Sequence, residues 1–181
     1  MPSKAQDITA YEFKDSDRLL LDTNVWIFVH GPTTPGNKRV TIYSNALKRI
    51  LAAESTIHID VLVVSEFINR YARLRHSVLK ETAGAPADFK QFRRSADFKP
   101  VAQDIADAVR RVLKDCARTE SLFSTLDIDA LVDEFEKGDS DFNDQILTEL
   151  CRNKGWKLVT DDGDFKGCGV PLVTANKTLL V

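Results

Sequence analysis

A run of three leucines closed by an aspartate, Leu19-Leu20-Leu21-Asp22, constrains this chain more than any other stretch. A short, unbroken apolar run marks a strand buried on both faces, and such strands belong to parallel sheets. A carboxylate at the carboxyl end of that strand sits where open α/β sheets place their ligand crevices. Thr23 and Asn24 follow, small polar residues suited to turning the chain and hydrogen-bonding the acid. A plain helix cap at Asp22 accounts for the same residues, so the weight falls on what lies downstream.

The pattern returns. Ile57 and Ile59 alternate with His58 in a second strand over 55–60, and Glu66 stands early in the helix after it. Trp156 to Thr160 reads as a strand closed by Asp161-Asp162-Gly163-Asp164, and Pro171 to Thr174 as a short last strand. Helical spacing appears after the first strand in Trp26–Val29, and from Val40 with Tyr43, Leu47, Ile50 and Leu51. From about Asp60–Leu62 the stripe Val64, Phe67, Ile68, Tyr71 and Leu74 predicts a second helix with those residues buried. After Pro100 come Val101, Ile105, Val109, Val112 and Cys116, and then a helix entered from Ser124-Thr125 with Ile128, Leu131, Val132 and Phe135. A last helix over 141–153 ends at Asn153-Lys154-Gly155, a glycine cap. Strands alternating with helices predict an α/β fold, with a mostly parallel central sheet and helices on both faces. The 181 residues suffice for a single domain over 1–181, with the helices of 76–137 inserted to one side. Residues 1–17 are polar and predict little fixed structure.

Asp22, Glu66 and Asp162 all follow strands, and neighbouring parallel strands open onto one edge. Asp141 and Asp144, three apart on a helix, share a face, which brings Asp144 toward the same edge. Carboxylates crowded together repel and lose hydration, a poor bargain for stability. A hard divalent cation resolves the conflict, because Mg²⁺ or Mn²⁺ takes oxygen ligands and keeps several waters. Such an ion lowers the pKa of water and grips a phosphodiester oxygen, which points to metal-assisted hydrolysis of a phosphate ester.

Charge is divided along the chain: residues 70–118 hold twelve Lys/Arg against six Asp/Glu, and residues 119–164 four against thirteen. That asymmetry suggests a cation-binding pocket beside a surface that receives polyanions. Arg70 and Arg73 begin the basic stretch one and two turns beyond Glu66 and are the expected contacts to a nucleic-acid backbone. Phe89, Phe92 and Phe98 read as an apolar underside of the inserted helices, and His30, His58 and His76 as structural. Cys116, Cys151 and Cys168 show no metal-binding spacing and read as packing residues in a reducing compartment. The polar amino terminus does not resemble a signal peptide. No apolar run approaches the ~20 residues of a membrane span. These features suit a soluble, cytoplasmic protein.

LLLDTNVW, VVSEFINR, DFNDQILTEL and LVTDDGDF, taken in that order, resemble the four acidic motifs of the PIN-domain nucleases. The resemblance runs from about Leu19 to Thr174 and is most specific in its first and last motifs. It implies a PIN-like three-layer fold and an endoribonuclease that hydrolyses RNA through metal-activated water. It implies Asp22, Glu66, Asp144 and Asp162 as catalytic metal ligands for Mg²⁺ or Mn²⁺, with Asp141 and Asp164 auxiliary. Asn24 would position Asp22, and Thr160 would support Asp162. Asp162 rather than Asp161 falls at the second position after Thr160. Many small PIN proteins are the toxin halves of toxin–antitoxin pairs, so an antitoxin protein and a homodimer are the implied partners, with no membrane. Two other readings compete: a non-catalytic PIN module that binds RNA or a protein partner, and a phosphatase with an Asp nucleophile. The second wants an acid where Asn24 stands.

Overall fold

The computed structural model describes residues 5–34, 36–138 and 141–180. Six strands form one all-parallel sheet: β1 (Gln6–Asp7), β2 (Arg18–Leu21), β3 (Thr56–Ile59), β4 (Ala117–Arg118), β5 (Lys157–Val159) and β6 (Leu172–Thr174). Their spatial order is β1-β6-β5-β2-β3-β4. Seven helices connect them: α1 (Thr23–His30), α2 (Lys38–Ala52), α3 (Val61–Thr82), α4 (Phe89–Arg94), α5 (Phe98–Lys114), α6 (Ile128–Glu136) and α7 (Phe142–Lys154). β2 lies between β3 and β5, with Leu20 level with both His58 and Leu158. Leu19, Leu20, Leu158 and Val159 are wholly buried, which is why the strands read as unbroken apolar runs.

From β2 the chain winds outward through β3 to β4, then crosses back to β5 on the far side of β2 and winds outward again through β6. With right-handed crossovers, the two directions put their helices on opposite faces of the sheet. α1, α3 and α5 pack on one another, while α7 packs on α6 and β5. The winding reverses between β2 and β5, so the crevice of this sheet opens beside the carboxyl ends of those two strands.

Three expectations need correction. Residues 5–17 of the polar amino-terminal segment are built into the fold, while 1–4 lie outside the described residues: β1 pairs with β6, Ile8 is wholly buried, and its N–H donates to the Thr174 carbonyl at 2.9 Å. A strand of two residues and one buried isoleucine leave no periodic trace. The helices of 76–137 are not an appendage. β4 extends the sheet beside β3, and Ala85, Phe92, Val101, Ile105, Ala108 and Val112 belong to the main core. α6 packs on α7 but buries none of its own residues, and its Val132 and Phe135 are about half exposed. On α3 the buried residues are Val63, Phe67, Tyr71, Ala72 and His76, while Ile68 and Leu74 are 39% and 38% exposed. The helix is rotated from the apolar stripe of its sequence because α1 and α5 press on one side of it and Glu66 must reach the crevice on another.

Candidate metal centre

Asp22 caps α1 at the end of β2 and is only 5% exposed. Its Oδ1 accepts from the Thr23 N–H at 2.5 Å. Its Oδ2 accepts from the Asn24 amide at 2.6 Å and from the Thr160 hydroxyl at 2.7 Å. The hydroxyl of Thr160, just past β5, also accepts from the Asp162 N–H at 2.9 Å, so one side chain ties the two central strand ends together. Thr23, on the first turn of α1, donates its hydroxyl to Glu66 Oε2 on α3 at 3.1 Å. Asp141 caps α7 through the Asn143 N–H at 2.8 Å, which sets Asp144 in the first turn. Asp162 holds its own loop by accepting from the Asp164 N–H at 3.1 Å.

Four elements thus deliver six carboxylates to one cleft of about 330 Å³: Asp22, Glu66, Asp141, Asp144, Asp162 and Asp164, with Arg70 and Asn143 beside them. Arg70 is the one cation among the described lining residues, and it stands 3.7 Å from Glu66. Burial pushes the Asp22 carboxyl up to about 6 against the pull of its hydrogen bond from Thr160, and the charges of Glu66 and Asp162 add to the rise. Burial pushes Asp144 up to about 8, helped by the charges of Asp22, Asp141, Asp162 and Glu66. The cleft therefore holds more negative charge than its surroundings neutralise.

Every acid expected at the site lines this cleft, and Asn24 and Thr160 brace Asp22 from behind. Asp161 is turned away, toward Arg39 and Tyr43. Arg73 does not line the cleft; its guanidinium lies over the Phe89 ring, 4.6 Å from the centroid. A helix wheel drawn from Glu66 includes Arg73, but the ring that draws it aside belongs to another helix. Thr23 reads from sequence as a partner of Asp22, but its hydroxyl bond to Glu66 does not. Arg39 and Tyr43 carry no sequence signal for the site, because they act across more than a hundred residues.

The donors are all hard oxygens, which suits a divalent cation of the Mg²⁺ class and not a soft one. They ring the space rather than meet at a point: among the described residues, no three acids, histidines or cysteines are drawn together tightly enough to hold an ion as they stand. Their chemistry and charge nonetheless fit a divalent cation. The histidines are occupied elsewhere. His58 stacks on Trp156 with centroids 3.8 Å apart, His30 on Trp26 at 6.0 Å, and His76 packs among Phe89 and Phe92 while bonding the Pro86 carbonyl at 2.7 Å.

The family model of the PIN domain matches residues 19–169. The chain belongs to the PIN domain family. It is therefore a member of a nuclease family, and the cleft lies within the matched span. This PIN domain is similar in fold to a chain of VapBC2 from Rickettsia felis, solved bound to a DNA fragment from their promoter. The TM-score is 0.56 at 19% identity, over 87% of this chain and 98% of that one. None of the curated proteins matches it. No helix among the described residues of this PIN domain is long and apolar enough to cross a membrane.

Proposed function

We propose that this PIN domain is a Mg²⁺- or Mn²⁺-dependent endoribonuclease and the toxin half of a toxin–antitoxin pair. The observation that carries the reading is the gathering of six under-neutralised carboxylates where the winding of the sheet reverses. Asp22, Glu66, Asp144 and Asp162 would hold the ion, with Asp141 and Asp164 on the rim. A divalent ion held there supplies Lewis-acid activation of water and of a phosphodiester oxygen. The chain's own residues supply placement. Thr160 and Asn24 fix Asp22, Thr23 fixes Glu66, and the cap at Asp141 fixes the first turn of α7. Arg70 would leave Glu66 for an incoming phosphate, a charge-assisted contact that reads no sequence.

RNA as substrate and an antitoxin as partner follow from the family resemblance. The half-exposed apolar residues of acidic α6 support a protein partner. A homodimer belongs to the same proposal. The phosphatase reading fares worse: Asn24 stands where it needs a second acid, and both Asp22 oxygens are engaged by donors. The test is cleavage of a single-stranded RNA, and of DNA of the same sequence, with Mn²⁺, with Mg²⁺ and with chelator. Cleavage of RNA should require the ion and vanish in Asp162→Asn, which retains most of its RNA affinity. Full cleavage in chelator, or by Asp162→Asn at the parent rate, would sink the proposal.

A further inference from the structure

Asp161 and Asp162 are neighbours at the end of β5, yet they face opposite ways, as successive side chains of an extended backbone do. Asp162 lines the cleft. Every polar group of Asp161 is held from the other side. Its N–H donates to Asn24 Oδ1 at 3.1 Å, and its carbonyl accepts from the Asn176 amide at 2.8 Å. Its Oδ1 accepts from the Tyr43 hydroxyl at 2.8 Å, and its Oδ2 stands 3.0 Å from Arg39 Nε.

The two α2 residues are anchored in turn. Tyr43 is 1% exposed, its hydroxyl accepts from the Ala175 N–H at 3.0 Å, and its ring stacks on Phe28 of α1. Arg39 also donates to the Ala175 carbonyl at 2.6 Å. Asn24 carries the constraint to the front. Its oxygen takes the Asp161 N–H while its NH₂ group donates to Asp22, which fixes the amide's orientation by its partners.

We infer that Asp161, clamped by Tyr43 and Arg39, is a positioning residue that sets Asp162 and, through Asn24, Asp22 relative to each other. The inference rests on the proposed metal-binding reading. It gives α2, which contributes nothing to the cleft, a part in the reaction: it braces the strand ends from behind. Groups that orient metal ligands in this way typically change metal affinity about 10- to 100-fold when removed.

The experiment is calorimetric titration of Mn²⁺ into the parent protein and into Tyr43→Phe, Arg39→Lys and Asp161→Asn, with each variant's Tm measured. Tyr43→Phe keeps the ring and its stacking, and Arg39→Lys keeps the charge at a partly exposed position, so both should fold even if Asp161→Asn does not. The expected result is Mn²⁺ affinity about tenfold weaker in Tyr43→Phe and at least as weak in Asp161→Asn. Tyr43→Phe combined with Asp161→Asn should be little worse than Asp161→Asn alone, because the two act on one clamp. Parent-like Mn²⁺ affinity in folded Tyr43→Phe and Arg39→Lys, with only Tm lowered, would overturn the inference and leave the proposed function standing. Loss of all Mn²⁺ binding in Asp161→Asn with none in Tyr43→Phe would overturn it by making Asp161 a ligand. Absence of Mn²⁺ binding in the parent would bring down both readings together.

Discussion

Two buried aspartates bracket β2, Asp17 before it and Asp22 after it, and they are treated in opposite ways. Asp17 is 4% exposed and fully answered. Lys157 lies 2.7 Å away, the Tyr11 hydroxyl 3.1 Å, and the Lys14 N–H donates at 3.0 Å. Burial alone would raise its pKa, but Lys157 and these donors together bring it below the usual carboxylate range. Asp22 also receives three hydrogen bonds, yet burial, with the charges of Glu66 and Asp162 adding to it and no cation to answer it, pushes it up to about 6. The same residue type at the two ends of one strand is structural where its charge is neutralised and points to function where it is not.

That contrast can be broken most strongly at Asp17. Replacing it with Asn removes the ion pair with half-shielded Lys157 and should cost about 2–3 kcal/mol, less than a fully buried pair because Lys157 reaches water. In a chain of this size that is roughly 5–10 °C in Tm, read by thermal unfolding at pH 7. The loss should fade in acid, as pH falls through the depressed pKa of Asp17 and the parent gives up the same contribution.

The carboxyl end of the strand should show the opposite pH sign. Unfolded carboxylates release their protons near pH 4, while folded Asp22 and Asp144 keep theirs to about 6 and about 8. The folded state therefore binds more protons across that window, and metal-free stability should fall as pH rises from about 4 to about 8. The slope is at most about 1.4 kcal/mol per pH unit for each group. Urea unfolding in chelator at three pH values checks it, and stability that rises across the window would refute it. Asp144→Asn should sharpen the contrast: nearly neutral below about pH 4, where the parent carboxyl is protonated in both states, and increasingly stabilising up to about pH 8, by a few kcal/mol at most. The smallest effect is expected at the rim. Arg70→Gln should weaken RNA binding a few-fold and lower its salt slope by about one, and binding measured at several salt concentrations with the same slope would remove Arg70 from the substrate path.

Legibility in the sequence followed locality. Leu19–Asp22, the helix start near Glu66 and the Thr160–Asp164 loop could be read because strand, turn and acid are adjacent in the chain. The two-residue strands β1 and β4 could not, since neither holds a full period of alternation. The place of Arg73 outside the cleft lining was hidden for a related reason: its cation–π partner, Phe89, lies on a different helix. The brace on Asp161 was the least visible, because Tyr43 reaches it across 118 residues and an isolated tyrosine on an amphipathic helix looks like any other core residue. Periodicity reports which face of an element is buried. It says nothing of what that face meets.

The bond from Thr160 to Asp22 closes a span of 138 residues, and the first strand, β1, pairs with the last, β6. During translation at about 5–20 residues per second, the acid that ends β2 waits roughly ten seconds or more for the loop that completes its cluster. Until then β2 has one neighbour instead of two, and Asp22 lacks the hydroxyl that grips it. A growing chain that already carries its first two acidic motifs therefore has no assembled cleft, and the six carboxylates come together only once the Thr160–Asp164 loop has been made.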